Sequence, residues 1–74
     1  MQYFDEFNFE NKGLELLASL YEIRAVDNSN QTQRTCNFCI SKVHNALMDD
    51  IPEDIRYTLL DSVENVVIAL TNNN

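Results

Sequence analysis

Two cysteines and the single histidine are the residues best suited to bind a metal. Cys36 and Cys39 are separated by two residues, and His44 follows Cys39 by five; thiolates and imidazoles are zinc ligands. A closed structural zinc site needs four ligands, however, and on a helix His44 lies about 140° around from Cys39, at the edge of the apolar stripe. Both thiols fall within that stripe, where cysteine packs as a small hydrophobic residue. We therefore expect core cysteines and no cofactor, with zinc shared between two chains as an alternative.

The sequence lacks the combination of residues that enzyme catalysis requires. A Ser, Thr or Cys nucleophile requires a neighbouring base, held by a third group in a cleft that excludes water. A chain of 74 residues with one His does not indicate such a cleft. The acid pairs Asp49/Asp50 and Glu53/Asp54 lack the glycine-containing loop of a calcium site. A helix dipole accounts for Glu53 and Asp54, so we predict that the protein is not an enzyme.

The charge balance limits the classes of partner. Twelve Asp and Glu against five Lys and Arg give a net charge of -7 and a pI near 4.3. Direct binding of nucleic acid is not expected, because it depends on clustered Lys and Arg. The longest apolar run, Val66 to Leu70, is far shorter than the roughly 20 residues of a membrane span. We expect a soluble, cytoplasmic protein without membrane contact.

The elements that position these residues are predicted to be helices. One glycine and one proline provide little of the turn chemistry that hairpins require. Apolar residues at helical spacing predict a first helix over 14–23, ended by Arg24 and the polar stretch 27–30. Its apolar arc covers about half of the circumference, which is typical of a helix that contacts two neighbours.

A second helix is predicted to begin after Asn30, whose side chain would cap the N–H of Gln33, and to continue to about Asp49. Its apolar stripe shows the spacing of one buried face. The stripe comprises Cys36, Cys39, Ile40, Val43 and Leu47.

The third helix has the strongest start signal. Pro52 fits a first helical turn, and Glu53 and Asp54 follow it where the helix dipole favours acids. The helix is predicted to continue to about Leu70. Its apolar face comprises Ile55, Leu59, Leu60, Val63, Val66, Val67 and Leu70.

Three helices with short loops predict an all-α fold. The chain would form one domain over 1–74, either a three-helix antiparallel bundle or a helical hairpin preceded by an N-terminal helix, with a frayed tail over 71–74. A domain this small buries only about 60% of its unfolded surface, and two cysteines cannot supply a disulfide framework. We therefore predict that dimerisation completes the core.

Several aromatic residues are candidates for the interface. Residues 1–10 form an acidic-aromatic arm in which Phe4 and Phe7 can either close the end of the bundle or dock on another protein. Phe38, Tyr57 and Ile68 lie off the apolar stripes, which indicates a helix-face interface, most simply that of a two-fold homodimer.

Two arginines lie inside the predicted apolar arcs. Arg24 and Arg56 should each lie at the end of a stripe with the guanidinium in water, or pair with a carboxylate on another helix.

These features support three functional hypotheses. The first is a non-catalytic protein-interaction module or regulator that binds through helix faces as a homodimer. The second is an acidic inhibitor of the phage type, which mimics nucleic acid and blocks a protein that binds DNA or RNA. The third is a zinc-binding helical dimer. The acidic surface that the second hypothesis requires comprises Asp49, Asp50, Glu53, Asp54, Asp61 and Glu64.

Overall fold

The computed structural model describes the backbone of residues 6–48 and 51–72, and their side chains except those of Glu6 and Phe7. The chain forms α1 (Glu6–Val26), α2 (Asn30–Ala46) and α3 (Glu53–Asn72). Each helix packs against the other two, and these described ranges contain no strand. The predicted all-α fold of three packed helices is confirmed.

None of the helices in the described part of the chain combines the length and the hydrophobicity needed to span a membrane.

Contacts at the helix ends show the direction of each helix. The side chain of Gln33, near the start of α2, donates to the Arg24 carbonyl at the end of α1, with 2.6 Å between nitrogen and oxygen. At the opposite end of the bundle, Arg56 Nε donates to the Ala46 carbonyl of α2 over 2.8 Å. The ring of Phe9 lies under the Arg56 guanidinium. The starts of α1 and α3 therefore meet the end of α2, and α2 runs opposite to both.

The core lies between the three helices. The predicted α2 stripe is buried, apart from Leu47, which packs against the core half-buried, and α1 contributes the centre of its wide arc. Leu14 and Tyr21, at the edges of that arc, are exposed. The buried apolar residues are Phe9, Leu16, Leu17, Leu20, Cys36, Cys39, Ile40, Val43, Ala46, Leu60 and Val63.

The start of α3 departs from the predicted apolar face. Ile55 is 49% exposed, whereas Arg56 is 5% exposed. The reason is that Arg56 reaches a carbonyl at the C-terminal end of α2 and covers the Phe9 ring, with its guanidinium carbon 4.6 Å from the ring centroid. A buried guanidinium that donates a hydrogen bond is stable where an unpaired charge is not. Of the two predicted placements of Arg56, the one with its guanidinium in water is therefore wrong.

The cap of α2 is also one residue earlier than predicted. Ser29, not Asn30, is the N-cap, and its hydroxyl accepts a hydrogen bond from the Thr32 backbone N–H over 3.3 Å. The Asp27 carboxylate accepts from the Ser29 N–H and the Thr32 hydroxyl, and these bonds lower the pKa of Asp27. Gln33, the residue that Asn30 was expected to cap, bonds the carbonyls of α1 and the loop through its side chain.

Gly13 of α1 lies directly against the side chain of Leu47, the residue that follows α2. A Cβ atom at this position would lie 2.9 Å from Cδ2 of Leu47, which is closer than ordinary van der Waals contact. The only glycine of the chain therefore serves the packing of two helices and no turn. α1 extends on both sides of it, well beyond the predicted 14–23.

Replacement of the cap tests the assignment of the α2 start. Ser29→Ala should lower the free energy of unfolding by about 1 kcal/mol, because the Thr32 N–H loses its acceptor. Asn30→Ala is the matched control and should change stability by less than about 0.5 kcal/mol. Urea unfolding followed by circular dichroism measures both. Equal losses, or a larger loss for Asn30→Ala, would contradict the assignment.

Arg56→Met tests the buried arginine. The substitution keeps an apolar stem but removes the donor to Ala46, so the free energy of unfolding should fall by about 2 kcal/mol. Arg34→Met, an exposed position on α2, is the control and should stay within about 0.5 kcal/mol of wild type. Thermal and urea unfolding provide the measurement. An Arg56→Met protein as stable as wild type would show that the contact contributes nothing.

Candidate functional site

The metal candidates do not converge. Cys36 is 0% and Cys39 2% exposed, and both are free thiols within the core, as predicted. Their burial raises the pKa of each thiol. His44 is exposed, not at the boundary of the core. Among the described residues, no three His, Cys, Asp or Glu side chains are close enough to hold a metal ion.

The predicted interface residues lie in different environments. Phe38 and Ile68 are exposed large apolar side chains on α2 and α3. Tyr57 is also exposed, but its ring meets the buried Phe9 ring edge-on, with the centroids 5.5 Å apart. Phe4 lies outside the described residues, and only the backbone of Phe7 is described, within α1. Of this set, Phe38 and Ile68 are therefore the clearest exposed candidates.

The predicted acidic surface is interrupted by a lysine. Lys12 of α1 lies 3.7 Å from an Asp61 carboxylate oxygen and 3.3 Å from a Glu64 carboxylate oxygen. Glu53 and Asp54 are exposed in the first turn of α3. Asp49 and Asp50 lie outside the described residues. Two of the six predicted acids are thus partly neutralised from a neighbouring helix.

A groove between α2 and α3 contains the most distinctive set of exposed side chains. Its volume is about 490 Å³, within the range of ligand-binding clefts. Buried Cys39 and Val63 lie at its base, and the half-buried Val66 and exposed Phe38 are nearer to solvent. We call it the basic groove. Its lining residues are Arg34, Thr35, Phe38, Cys39, Lys42, Ser62, Val63 and Val66.

Helical spacing places three of these residues in one row. Arg34, Phe38 and Lys42 follow each other at intervals of four, so they share one face of α2. The Lys42 ammonium lies 4.8 Å from the Phe38 ring centroid, a cation–π contact that orients both side chains. The result is an aromatic residue that lies between two basic residues in one helical row.

The remaining cations of the chain are occupied elsewhere. Lys12 pairs with two carboxylates and Arg56 is buried. Arg24 is half-buried, and its Nη1 donates to the Asn37 side-chain oxygen over 2.7 Å. Within the part of the chain that the structure describes, Arg34 and Lys42 form no ion pair. An acidic protein therefore presents its two available positive charges at a single groove.

The exposure of Phe38 was predicted from the sequence, but the groove between α2 and α3 was not. The row of Arg34, Phe38 and Lys42 at intervals of four was the available signal. Val66, assigned to the apolar face of the third helix, packs half-buried against the core as predicted and also lines the groove. Its contribution depends on how α3 packs against α2, which helical spacing does not specify.

A second groove, of about 510 Å³, lies between the ends of α1 and α3. Glu22 and Asp27 line it together with Val26, which is exposed. The Asp27 carboxylate already accepts hydrogen bonds from the Ser29 N–H and the Thr32 hydroxyl, and the described residues that line this groove include no Lys or Arg.

The buried thiols predict a pH dependence of stability. Their raised pKa means that the folded chain keeps these protons while the unfolded chain releases them above its ordinary thiol pKa of about 8.5. The stabilising contribution is therefore complete below that pH and is lost as pH rises. The free energy of unfolding should fall more steeply between about pH 8 and 10 for wild type than for the Cys36→Ala/Cys39→Ala variant. Parallel slopes in urea titrations would contradict this.

No protein family model matches the chain, and no curated protein or solved structure is significantly similar to it.

Proposed function

We propose that the protein is a non-catalytic interaction module that binds a segment of a partner protein in the basic groove. One observation carries this proposal: Arg34 and Lys42, which form no ion pair in the described ranges, line the same groove and share one helical row with the exposed Phe38 ring. Aromatic residues and arginine are the residue types that most often dominate binding energy at protein interfaces.

The apolar part of the groove supplies affinity. Phe38 is 63% exposed, and full burial of a Phe side chain is worth about 1.5–3 kcal/mol relative to full exposure. Val66 adds a half-buried aliphatic surface next to it. A partner side chain placed between the two would exclude water from both.

The charges define the chemistry of the partner. The Cα atoms of Arg34 and Lys42 are eight residues apart on a helix, which corresponds to about 12 Å. A short peptide segment with an apolar anchor and neighbouring carboxylates matches this spacing. Such charges accelerate encounter and select against basic partners, because like charges repel. The proposed ligand is therefore an acidic segment with aromatic or aliphatic anchors.

The alternative hypotheses receive less support. For the nucleic-acid mimic, Lys12 lies between two of the required carboxylates. For the zinc dimer, Cys36 is 0% and Cys39 2% exposed, so a second chain would have to displace core side chains to reach both thiols. Free core thiols also fit a reducing compartment such as the cytoplasm, which we propose as the location of the protein.

Peptide display tests the binding proposal. Random peptides are selected on the wild-type protein, with counter-selection on Phe38→Ala. The selected peptides should contain acidic residues beside an apolar anchor and should bind Phe38→Ala at least about tenfold more weakly, because that variant lacks the ring. Chemical shift changes in the complex should map to Thr35, Lys42 and Val66.

Leu14→Ala is the matched control for this experiment. Leu14 is 58% exposed, close to the value for Phe38, but it lies on α1 and does not line the basic groove. Its replacement should leave peptide affinity unchanged. Peptides that bind Phe38→Ala as tightly as wild type, or that shift resonances away from the groove, would refute the proposed function.

A further inference from the structure

We propose that the occupant of the basic groove is the leading segment, residues 1–5, of a second copy of this chain. This inference rests on the proposed function, since it names a ligand for the same groove. The protein would then form a homodimer by reciprocal exchange of N-terminal segments.

The leading segment has the chemistry that the groove requires. Tyr3 and Phe4 are adjacent aromatic residues, and Asp5 follows them, with Glu6 as the next residue. In the proposed dimer the aromatic side chains would pack against Phe38 and Val66, and Asp5 would pair with a positive charge of the groove. Five extended residues span at most about 17 Å, enough to cover the roughly 12 Å row on α2.

The segment cannot fill the groove of its own chain. α1 and α3 run in the same direction with Phe9 beside Arg56. Glu6 precedes Phe9 by three residues, and Val63, at the base of the groove, follows Arg56 by seven. These ten steps correspond to about 15 Å along the bundle at 1.5 Å per residue. A segment that spans at most about 17 Å would be used up in reaching the groove.

Charge also opposes a direct groove-to-groove dimer. A two-fold contact of that kind would place Arg34 and Lys42 of one chain against the same residues of the other. Exchange of segments instead places acids against bases in both halves of the dimer, and the two identical contacts close the assembly.

The expected dimer is weak and sensitive to salt. Two short segments provide an interface at the low end of specific complexes, below about 1,200 Å² in total, for which micromolar dissociation constants are typical. Charge pairs near the surface are screened by salt, so dissociation should increase with ionic strength.

Sedimentation equilibrium tests the exchange. Wild type should associate to a dimer at low salt. Removal of residues 1–5 should weaken the dimer at least about tenfold, and Arg34→Gln/Lys42→Gln should do the same. The control Asn11→Asp/Ala18→Glu makes the same change in net charge on α1, outside the groove, and should retain most of the affinity. Circular dichroism verifies that each variant is folded.

Complementation between variants tests the direction of the contact. The chain without residues 1–5 keeps its groove, and Arg34→Gln/Lys42→Gln keeps its segment. Isotope-labelled truncated chain should therefore show chemical shift changes at Thr35, Lys42 and Val66 when the groove variant is added. The same labelled chain should show none when unlabelled truncated chain is added.

Two results would overturn the inference: a wild-type protein that stays monomeric at low salt, or a truncated chain that associates as tightly as wild type. Failure of the inference is distinguishable from failure of the proposed function. If displayed peptides bind the groove through Phe38 while the complementation experiment shows no shift, the groove binds a segment from another protein and the exchange is refuted.

Discussion

The burial of Arg56 is the interaction on which the rest of the structure depends. Its guanidinium donates to the carbonyl of Ala46 at the end of α2 and covers the ring of Phe9 near the start of α1, so a single side chain joins three helices. The charge removed from water is compensated by a hydrogen bond and a ring face, since an isolated buried cation would be very unfavourable. This contact determines which residues of α1 and α3 lie beside each other, and therefore how far the basic groove lies from the start of α1.

Much of the fold follows from helical spacing. The α2 stripe was predictable because its residues repeat at the period of one buried face, and the cysteines belonged to it for the same reason. That Arg56 is buried while Ile55 is exposed was not predictable, because the burial of this arginine depends on a carbonyl and a ring that belong to other helices. The cap of α2 was missed by one residue because Ser29 and Asn30 are both good caps, and the hydrogen bonds of Asp27 favour the earlier start.

The candidate site was predictable only in its α2 half. Phe38 lies outside the apolar stripe of α2 in a helical projection, and Arg34 and Lys42 lie in the same row as Phe38. The α3 half depends on the angle and register of helix packing, which determine that Val66 lines the groove while Leu60 is fully buried. The sequence shows the acids of the N-terminal arm. It does not show how far the start of α1 lies from the basic groove, because that distance depends on how the helices pack.

The hydrogen bonds of the Gln33 side chain affect the order in which parts of the chain fold. This side chain donates to two carbonyls, those of Arg24 and Asp27, and so fastens the turn between α1 and α2 with contacts that are close in sequence. Local contacts close quickly because little loop entropy is lost. The α1–α2 turn and the Arg56–Ala46 contact are both local, so both are favoured early. The Phe9 ring is far from Arg56 in sequence, so the arginine is covered by that ring only when α1 and α3 have met.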